Sequence, residues 1–240
     1  MLPAALRPLV PWVVAAILPH AAWAADPRAA PVKVPDTLAQ RVVACTACHG
    51  TEGRTAPDAY YPRIAGKPAG YLYNQLLNFR EGRRHYAPMT WMVDPLSNDY
   101  LREIASHFAS LDLPYAAPVG GPAPAALMEQ GRRLVREGDR ARDLPACANC
   151  HGEAMMGAQP AIPGLLGLPR DYVNAQFGAW RTGLRRAHPP DCMAQVAKRL
   201  TVEEIAAIST WLAAQPVPPG AKPAPRAAAP LPIDCGGVAP

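Results

Sequence analysis

Two short stretches of the sequence contain the residues best suited to chemistry. CTACHG begins at Cys45, and CANCHG begins at Cys147. Each has two cysteines separated by two residues and followed at once by a histidine. On a helical turn both cysteines face the same way, so their sulfurs can form thioethers with one haem while the histidine binds the iron. Each stretch therefore predicts a covalently attached haem c.

The sequence thus predicts two haem c groups. A redox-active pair of cysteines would need a βαβ setting, which the sequence does not show, and zinc would need a fourth ligand. The presence of two copies in a helical chain favours haem over both alternatives. The predicted attachment residues are Cys45 and Cys48 with axial ligand His49, and Cys147 and Cys150 with axial ligand His151.

The two motifs belong to a longer internal repeat. The segment YPRIAGKPAGYLYNQLLNFREG aligns with IPGLLGLPRDYVNAQFGAWRTG, about 100 residues later. Further on, LSNDYLREIASHFASL aligns with LTVEEIAAISTWLAAQ. This similarity indicates a tandem duplication with small differences in loop length, and hence two like domains.

Each repeat has the pattern of a small helical domain. Apolar residues recur at helical spacing after Pro68 and after Pro169. Ser97 is the predicted N-cap of the last helix in the first repeat, and Thr201 with Glu204 has the capping-box pattern in the second. No stretch shows the convincing alternation of a β-strand. The predicted fold class is therefore all-α.

The start of the chain has the pattern of a secretory signal peptide. A positive charge at Arg7 precedes an apolar run too short to span a bilayer, and a small-x-small pattern ends at Ala24. We expect cleavage after Ala24 and export to the periplasm, with an uncleaved N-terminal anchor as the alternative. The predicted division of the chain is 1–24 signal peptide, 25–113 first domain, 114–124 Pro/Gly linker, 125–216 second domain and 217–240 Pro/Ala-rich tail.

The charge of the chain is mildly positive. The formal net charge is +5, without a basic run, and aromatic residues make up 7%. This pattern argues against nucleic acid as a partner, because nucleic-acid-binding proteins concentrate their basic residues. A docking surface for an acidic protein is compatible with it.

The chain resembles the class I c-type cytochromes, and among them the dihaem cytochrome c4 family. The resemblance rests on the two CxxCHG motifs, on YPRIAG, on NFREGRR before a methionine, and on the last helix after LS or LT. It covers nearly all of residues 36–215. It implies two tandem cytochrome c-like domains, each wrapped around one haem, with a loop methionine as the sixth iron ligand.

By this resemblance the distal ligands are Met89 and Met193. The residues agree, since both methionines precede the last helix of their repeat and align with each other. A thioether is a soft ligand that raises the reduction potential of haem relative to a second histidine. Met92 is the alternative for the first haem, although only Met89 has a counterpart in the second repeat.

Other side chains near the methionines could also bind iron. His85, His188 and Cys192 are the alternatives, and either a histidine or a thiolate would lower the potential. We expect both histidines to be exposed loop residues. Cys192 and Cys235 remain outside the two motifs, and an oxidising compartment favours a disulfide between them.

Several further residues distinguish the two repeats. Arg63 is a candidate partner for a haem propionate, whereas Gly164 occupies the corresponding position. Phe79 likewise corresponds to Trp180. These differences predict two haems of unequal potential. Met155 and Met156 follow the second motif too closely to reach the distal face, and we expect them to pack in the core or at the haem rim.

Six-coordinate iron has no open position for a substrate, which leaves one-electron transfer through the haem edge. The resemblance implies a periplasmic dihaem electron carrier, and not an enzyme, between a quinol-oxidising complex or dehydrogenase and a terminal oxidase or reductase. Its partners would be redox proteins, and peripheral membrane association through a partner is compatible with this role. One alternative is a cytochrome subunit of a membrane-bound dehydrogenase or oxidase complex. Another is a dihaem oxidoreductase acting on a small sulfur compound or peroxide, which would need a haem without methionine ligation.

Overall fold

The structure is a computed structural model that describes residues 37–55, 60–118, 121–228 and 230–238. The predicted signal peptide lies outside these residues. Within them, no helix combines the length and the apolar character needed to cross a lipid bilayer. All described residues fall into one unit by their contacts, so the boundary between two domains stays a prediction.

The first half is helical from its first described residues. The hydroxyl of Thr37 caps the first helix by accepting the backbone N–H of Gln40 at 3.2 Å. The hydroxyl of Ser97 accepts the N–H of Tyr100 at 3.2 Å, which confirms the predicted cap of the last helix. The helices are α1 (Leu38–Arg41), α2 (Val43–His49), α3 (Ala69–Arg80), α4 (Ala87–Val93) and α5 (Asn98–Ser110).

The second half has a similar order of helices and a longer helix at its start. Thr201 and Glu204 form the predicted capping box: each side chain accepts the backbone N–H of the other residue. Two paired strands of two residues each were not predicted. The elements are α6 (Ala125–Arg136), α7 (Cys147–His151), β1 (Gly157–Ala158), β2 (Ile162–Pro163), α8 (Arg170–Thr182), α9 (Cys192–Arg199) and α10 (Val202–Ala214).

The apolar core differs between the halves. In the first half, α3 packs against α5, and the buried apolar residues form one cluster of five and one of three. In the second half, α6 crosses α10, and a single cluster contains fifteen. Gly131 permits this crossing, because an added Cβ would clash with the carbonyl of Ala207 and lie 2.7 Å from Cβ of Trp211.

The Pro/Ala-rich tail is attached to both halves. The predicted disulfide between Cys192 and Cys235 is confirmed, with a Cα–Cα distance of 5.0 Å. Beyond it, the Nδ2 atom of Asn74 in α3 donates to the carbonyl oxygen of Gly237 at 2.8 Å. The tail is therefore attached at two places: to the start of α9 in the second half, and to α3 in the first half.

Candidate haem-binding site

The two CxxCH motifs each form a short helical segment. His49 is the last residue of α2 and His151 is the last residue of α7; they are 8% and 7% exposed. Their Nδ1 atoms lie 2.9 Å and 2.7 Å from the carbonyl oxygens of Pro62 and Pro163, respectively. When Nδ1 carries the proton and donates to the carbonyl, Nε2 keeps its lone pair for a metal.

Burial favours the uncharged form of these side chains. It lowers the pKa of both His49 and His151, which favours the neutral imidazole that can bind iron. Burial also raises the pKa of Cys45 and Cys150, and raises that of Cys147 to about 12. The sites therefore suit uncharged thioether links better than free thiolates.

Both motifs face one cavity of about 550 Å³ with mostly apolar walls. This volume lies within the range of about 300–1,000 Å³ that is typical of ligand and cofactor sites. The cavity is lined from both halves of the chain. Its walls include every predicted attachment cysteine, both histidines, Met89 and Met193.

The two methionines lie in short helices and not in loops, which corrects the expectation from the resemblance. Met89 is in α4, where Pro88 occupies the first turn and has a fixed φ that suits a helix start. Met193 is in α9, where Asp191 caps the helix by accepting the N–H of Ala194 at 3.0 Å. Met92 also lines the cavity and is 43% exposed. The choice of Met89 over Met92 stays a prediction.

The alternative ligands differ in their surroundings. His85 and His188 are exposed, as expected. Cys192 is disulfide-bonded, so its sulfur is not a free thiolate. Met155 and Met156 are buried in the core of the second half, which confirms the expected packing role.

Arg63 makes its contacts with the protein backbone. Its guanidinium donates to the carbonyl oxygens of Ala65, Pro114 and Leu113 at 3.1, 3.1 and 2.6 Å. The same group stacks on the ring of Tyr115 at 3.9 Å. These bonds use three of its five N–H groups and tie the first half to the segment after α5. A bond to a haem propionate stays a prediction.

A polar cluster joins the two halves, and the sequence reasoning did not identify it. Arg84 donates to Gln75, Gln176 and Tyr172 at 2.9, 2.8 and 3.1 Å. Arg185 donates to Gln176 and Gln75 at 2.7 and 3.0 Å. Each arginine thus donates to one glutamine of the first half and to one glutamine of the second half. The alignment of Arg84 with Arg185 and of Gln75 with Gln176 was the available signal for this near-symmetric arrangement.

The residues of the cavity fit a haem group. Trp180 lines the cavity, and its buried indole N–H has no hydrogen-bond partner among the described residues. A buried donor of this kind normally has a partner, and a haem carboxylate would supply one. Among the same residues, no group of three or more His, Cys, Asp or Glu side chains is arranged to hold a metal ion by itself.

Comparison with known proteins identifies the family. No protein-family model matches the chain. A thiosulfate dehydrogenase electron acceptor of Thiomonas intermedia is 38% identical over 83% of this chain and 85% of its own length. Cytochrome c4 of Pseudomonas aeruginosa is 33% identical over 72% of this chain and 84% of its own length. The chain belongs to the cytochrome c4 family.

A solved structure supports the same assignment. The crystal structure of reduced cytochrome c4 from Pseudomonas stutzeri matches with a TM-score of 0.63 and 31% identity. The match covers 73% of this chain and 95% of that one. The predicted family and all-α fold class are confirmed, and this member of the cytochrome c4 family is a c-type electron carrier and not an enzyme.

Proposed function

We propose that the protein is a periplasmic electron carrier with two haem c groups, one in each half. It takes electrons from a thiosulfate dehydrogenase and passes them to a terminal oxidase or reductase. The observation that carries the proposal is the apolar cavity onto which both CxxCH motifs open. The choice of donor is supported by the similarity to the thiosulfate dehydrogenase electron acceptor of Thiomonas intermedia.

The residues of the chain would hold and orient the cofactors. When bound, haem supplies the one-electron chemistry. His49 and His151 are oriented by their hydrogen bonds to proline carbonyls. Met89 and Met193 belong to short helices and line the cavity wall. Apolar walls lower the local dielectric constant, and methionine ligation raises the potential of haem; both favour a raised reduction potential.

The contacts between the halves would keep the two haem compartments in a fixed relation. Arg84 and Arg185 bond to glutamines of both halves, and the backbone N–H of His85 donates to the carbonyl of Leu184 at 2.9 Å. A second backbone bond joins Arg186 to Arg83 at 2.7 Å. Rigid spacing supports electron transfer from one haem to the other.

Export and duplication are parts of the same proposal. The first 24 residues have the pattern of a signal peptide, and the aligned segments of the two repeats support a tandem duplication. The disulfide between Cys192 and Cys235 supports an oxidising compartment, because such bonds persist outside the cytosol. These observations together favour the periplasm.

The first test is the absorption spectrum of the purified, oxidised protein together with its haem content. We expect two haems per chain, no high-spin signal, and a near-infrared methionine-to-iron band that accounts for both. Met89→Leu and Met193→Leu should each remove about half of that band, whereas Met92→Leu should leave it unchanged. A wild-type protein with one haem, or with high-spin iron, would contradict the proposal.

The second test addresses the electron donor. The oxidised protein is mixed with a purified thiosulfate dehydrogenase and thiosulfate, and reduction of the haem is followed by absorbance. We expect full reduction with the enzyme and none with thiosulfate alone. If the enzyme does not accelerate reduction, the donor assignment is wrong while the carrier function stands.

A further inference from the structure

Lys67 is a buried lysine that extends from the first half into the second. It is 4% exposed and precedes α3. Its Nζ atom donates to the carbonyl oxygen of Gly164, 97 residues further along the chain, at 2.9 Å. The neighbouring carbonyl, that of Pro163, is the one that bonds to Nδ1 of His151. The ammonium group of one half therefore lies beside the loop that orients the histidine of the other.

Lys67 has no counterion among the residues that the structure describes, because no carboxylate there forms an ion pair with it. Burial lowers the pKa of Lys67 to about 7, and the positive charge of Arg63 contributes in the same direction. A buried ammonium group without an anion is unfavourable, so its surroundings favour the binding of an anion.

The cavity is the place from which that anion can come. Lys67 lines the cavity wall, and the bond to Gly164 uses one of its three N–H donors. The haem c that fits this cavity carries carboxylate groups on its propionates. We propose that Lys67 binds a propionate of the haem attached at Cys147 and Cys150, and that its charge raises the reduction potential of this haem.

The inference rests on the proposed presence of two haems and adds an asymmetry between them. Leu168 occupies the position in the second repeat that corresponds to Lys67. Leu168 also lines the cavity but has no charge. A lysine in one repeat and a leucine in the other make the two compartments electrostatically different at this position, because a positive charge stabilises the reduced state of the nearer haem.

The test is a spectroelectrochemical titration of the complete protein, with haem content measured first. Lys67→Gln keeps a donor for the carbonyl of Gly164 but removes the charge, and Lys67→Arg keeps the charge. We expect the glutamine variant to disfavour reduction of the second haem roughly tenfold, about 59 mV for a one-electron couple. The arginine variant should stay within twofold of wild type, on the order of 18 mV.

The control and the assignment use other positions. Lys222 is exposed and pairs with Asp112 at 2.6 Å, so Lys222→Gln removes the same charge at the surface and should leave both potentials unchanged. Met193→His shows which of the two redox couples belongs to the second haem, because a second histidine ligand lowers the potential of that haem selectively. If Lys67→Gln loses haem, Lys67→Met serves as the second variant, because it removes the charge and replaces the polar end of the side chain with an apolar one.

Three results would overturn the inference. They are an unchanged second couple in a two-haem glutamine variant, a shift confined to the first couple, and a wild-type potential that follows the concentration of inorganic phosphate. The last result would mean that Lys67 binds a free anion and not a propionate. Fewer than two haems in the wild-type protein would instead contradict the proposed function, so the two failures are distinguishable.

Discussion

The two halves of the molecule support the same haem motif in different ways. In the second half, α6 and α10 cross closely and one cluster of fifteen buried apolar residues forms the core. In the first half, the described residues form two smaller clusters of five and three. A small core contributes less to stability, so the first half depends more on its cofactor to bury apolar surface.

The halves also differ in what covers the cavity. In the second half, the tail is bonded to Cys192 and contributes Cys235 and its neighbours to the cavity wall. In the first half, α4 exposes Trp91 and Met92, which are 77% and 43% exposed. The first half therefore presents an apolar surface next to its predicted distal ligand, while the second is screened by the tail.

With one haem in each half, as proposed, the largest expected effect comes from removing one haem at a time. With Cys45→Ala and Cys48→Ala, we expect α3–α5 to lose most of their protection against hydrogen exchange, because the remaining core is small. With Cys147→Ala and Cys150→Ala, α6 and α10 should keep substantial protection. Hydrogen exchange followed by mass spectrometry measures both. Equal loss of protection in the two variants would remove the proposed difference in cofactor dependence.

A smaller effect is expected where α6 crosses α10. Gly131→Ala places a methyl group against the carbonyl of Ala207 and Cβ of Trp211, and should lower the free energy of unfolding by about 1–3 kcal/mol. Gly178→Ala in α8 is the matched control, since nothing lies within 4 Å of the added atom. That variant should be more stable by up to about 1 kcal/mol. Chemical denaturation measures both, and similar values would show that the crossing tolerates a methyl group.

The smallest effect concerns Glu204 at the start of α10. Arg142 bonds to both carboxylate oxygens, at 2.6 and 3.1 Å, and this holds the pKa of Glu204 below its ordinary value. A lowered pKa in the folded state means that the carboxylate stabilises the fold above its ordinary pKa of about 4.3, and that this is lost as the pH falls through the folded value. Glu204→Gln should therefore be less stable than wild type at neutral pH and equally stable in acid.

The control for this comparison is the start of α5 in the first half. There Tyr100, which has no carboxylate, occupies the position that corresponds to Glu204. Ser97→Ala removes the cap of α5 without changing a charge, and its effect should be the same at both pH values. Thermal unfolding at neutral and acidic pH measures both variants. A loss in Glu204→Gln that persists in acid would show that the carboxylate charge is not the cause.

Local signals in the sequence predicted much of the fold. Ser97 and Thr201 cap the helices as expected, because capping depends on neighbouring residues alone. The disulfide followed from the two cysteines left outside the motifs. The helices around Met89 and Met193 were missed, although a proline and an aspartate stand at their starts.

Contacts between distant residues could not be predicted in the same way. The bond of Lys67 to Gly164 and those of Arg84 to Gln176 and Tyr172 depend on how the two halves pack. The repeat showed that these positions are related, but related positions need not touch. Likewise, Arg63 donates to three backbone carbonyl groups, and since every residue has such a group, the sequence does not indicate which ones it contacts.

The tail disulfide places opposite chemical demands on the six cysteines during maturation. Cys192 and Cys235 must lose their protons and electrons to form a bond, whereas the proposed attachment of two haems requires the four cysteines of the CxxCH motifs to stay reduced until they react with haem vinyl groups. Within each motif the two cysteines are separated by two residues, a spacing at which an oxidant can join them in a disulfide. Maturation therefore requires a reductant that acts on the motif pairs, and a disulfide that either resists that reductant or forms after haem attachment.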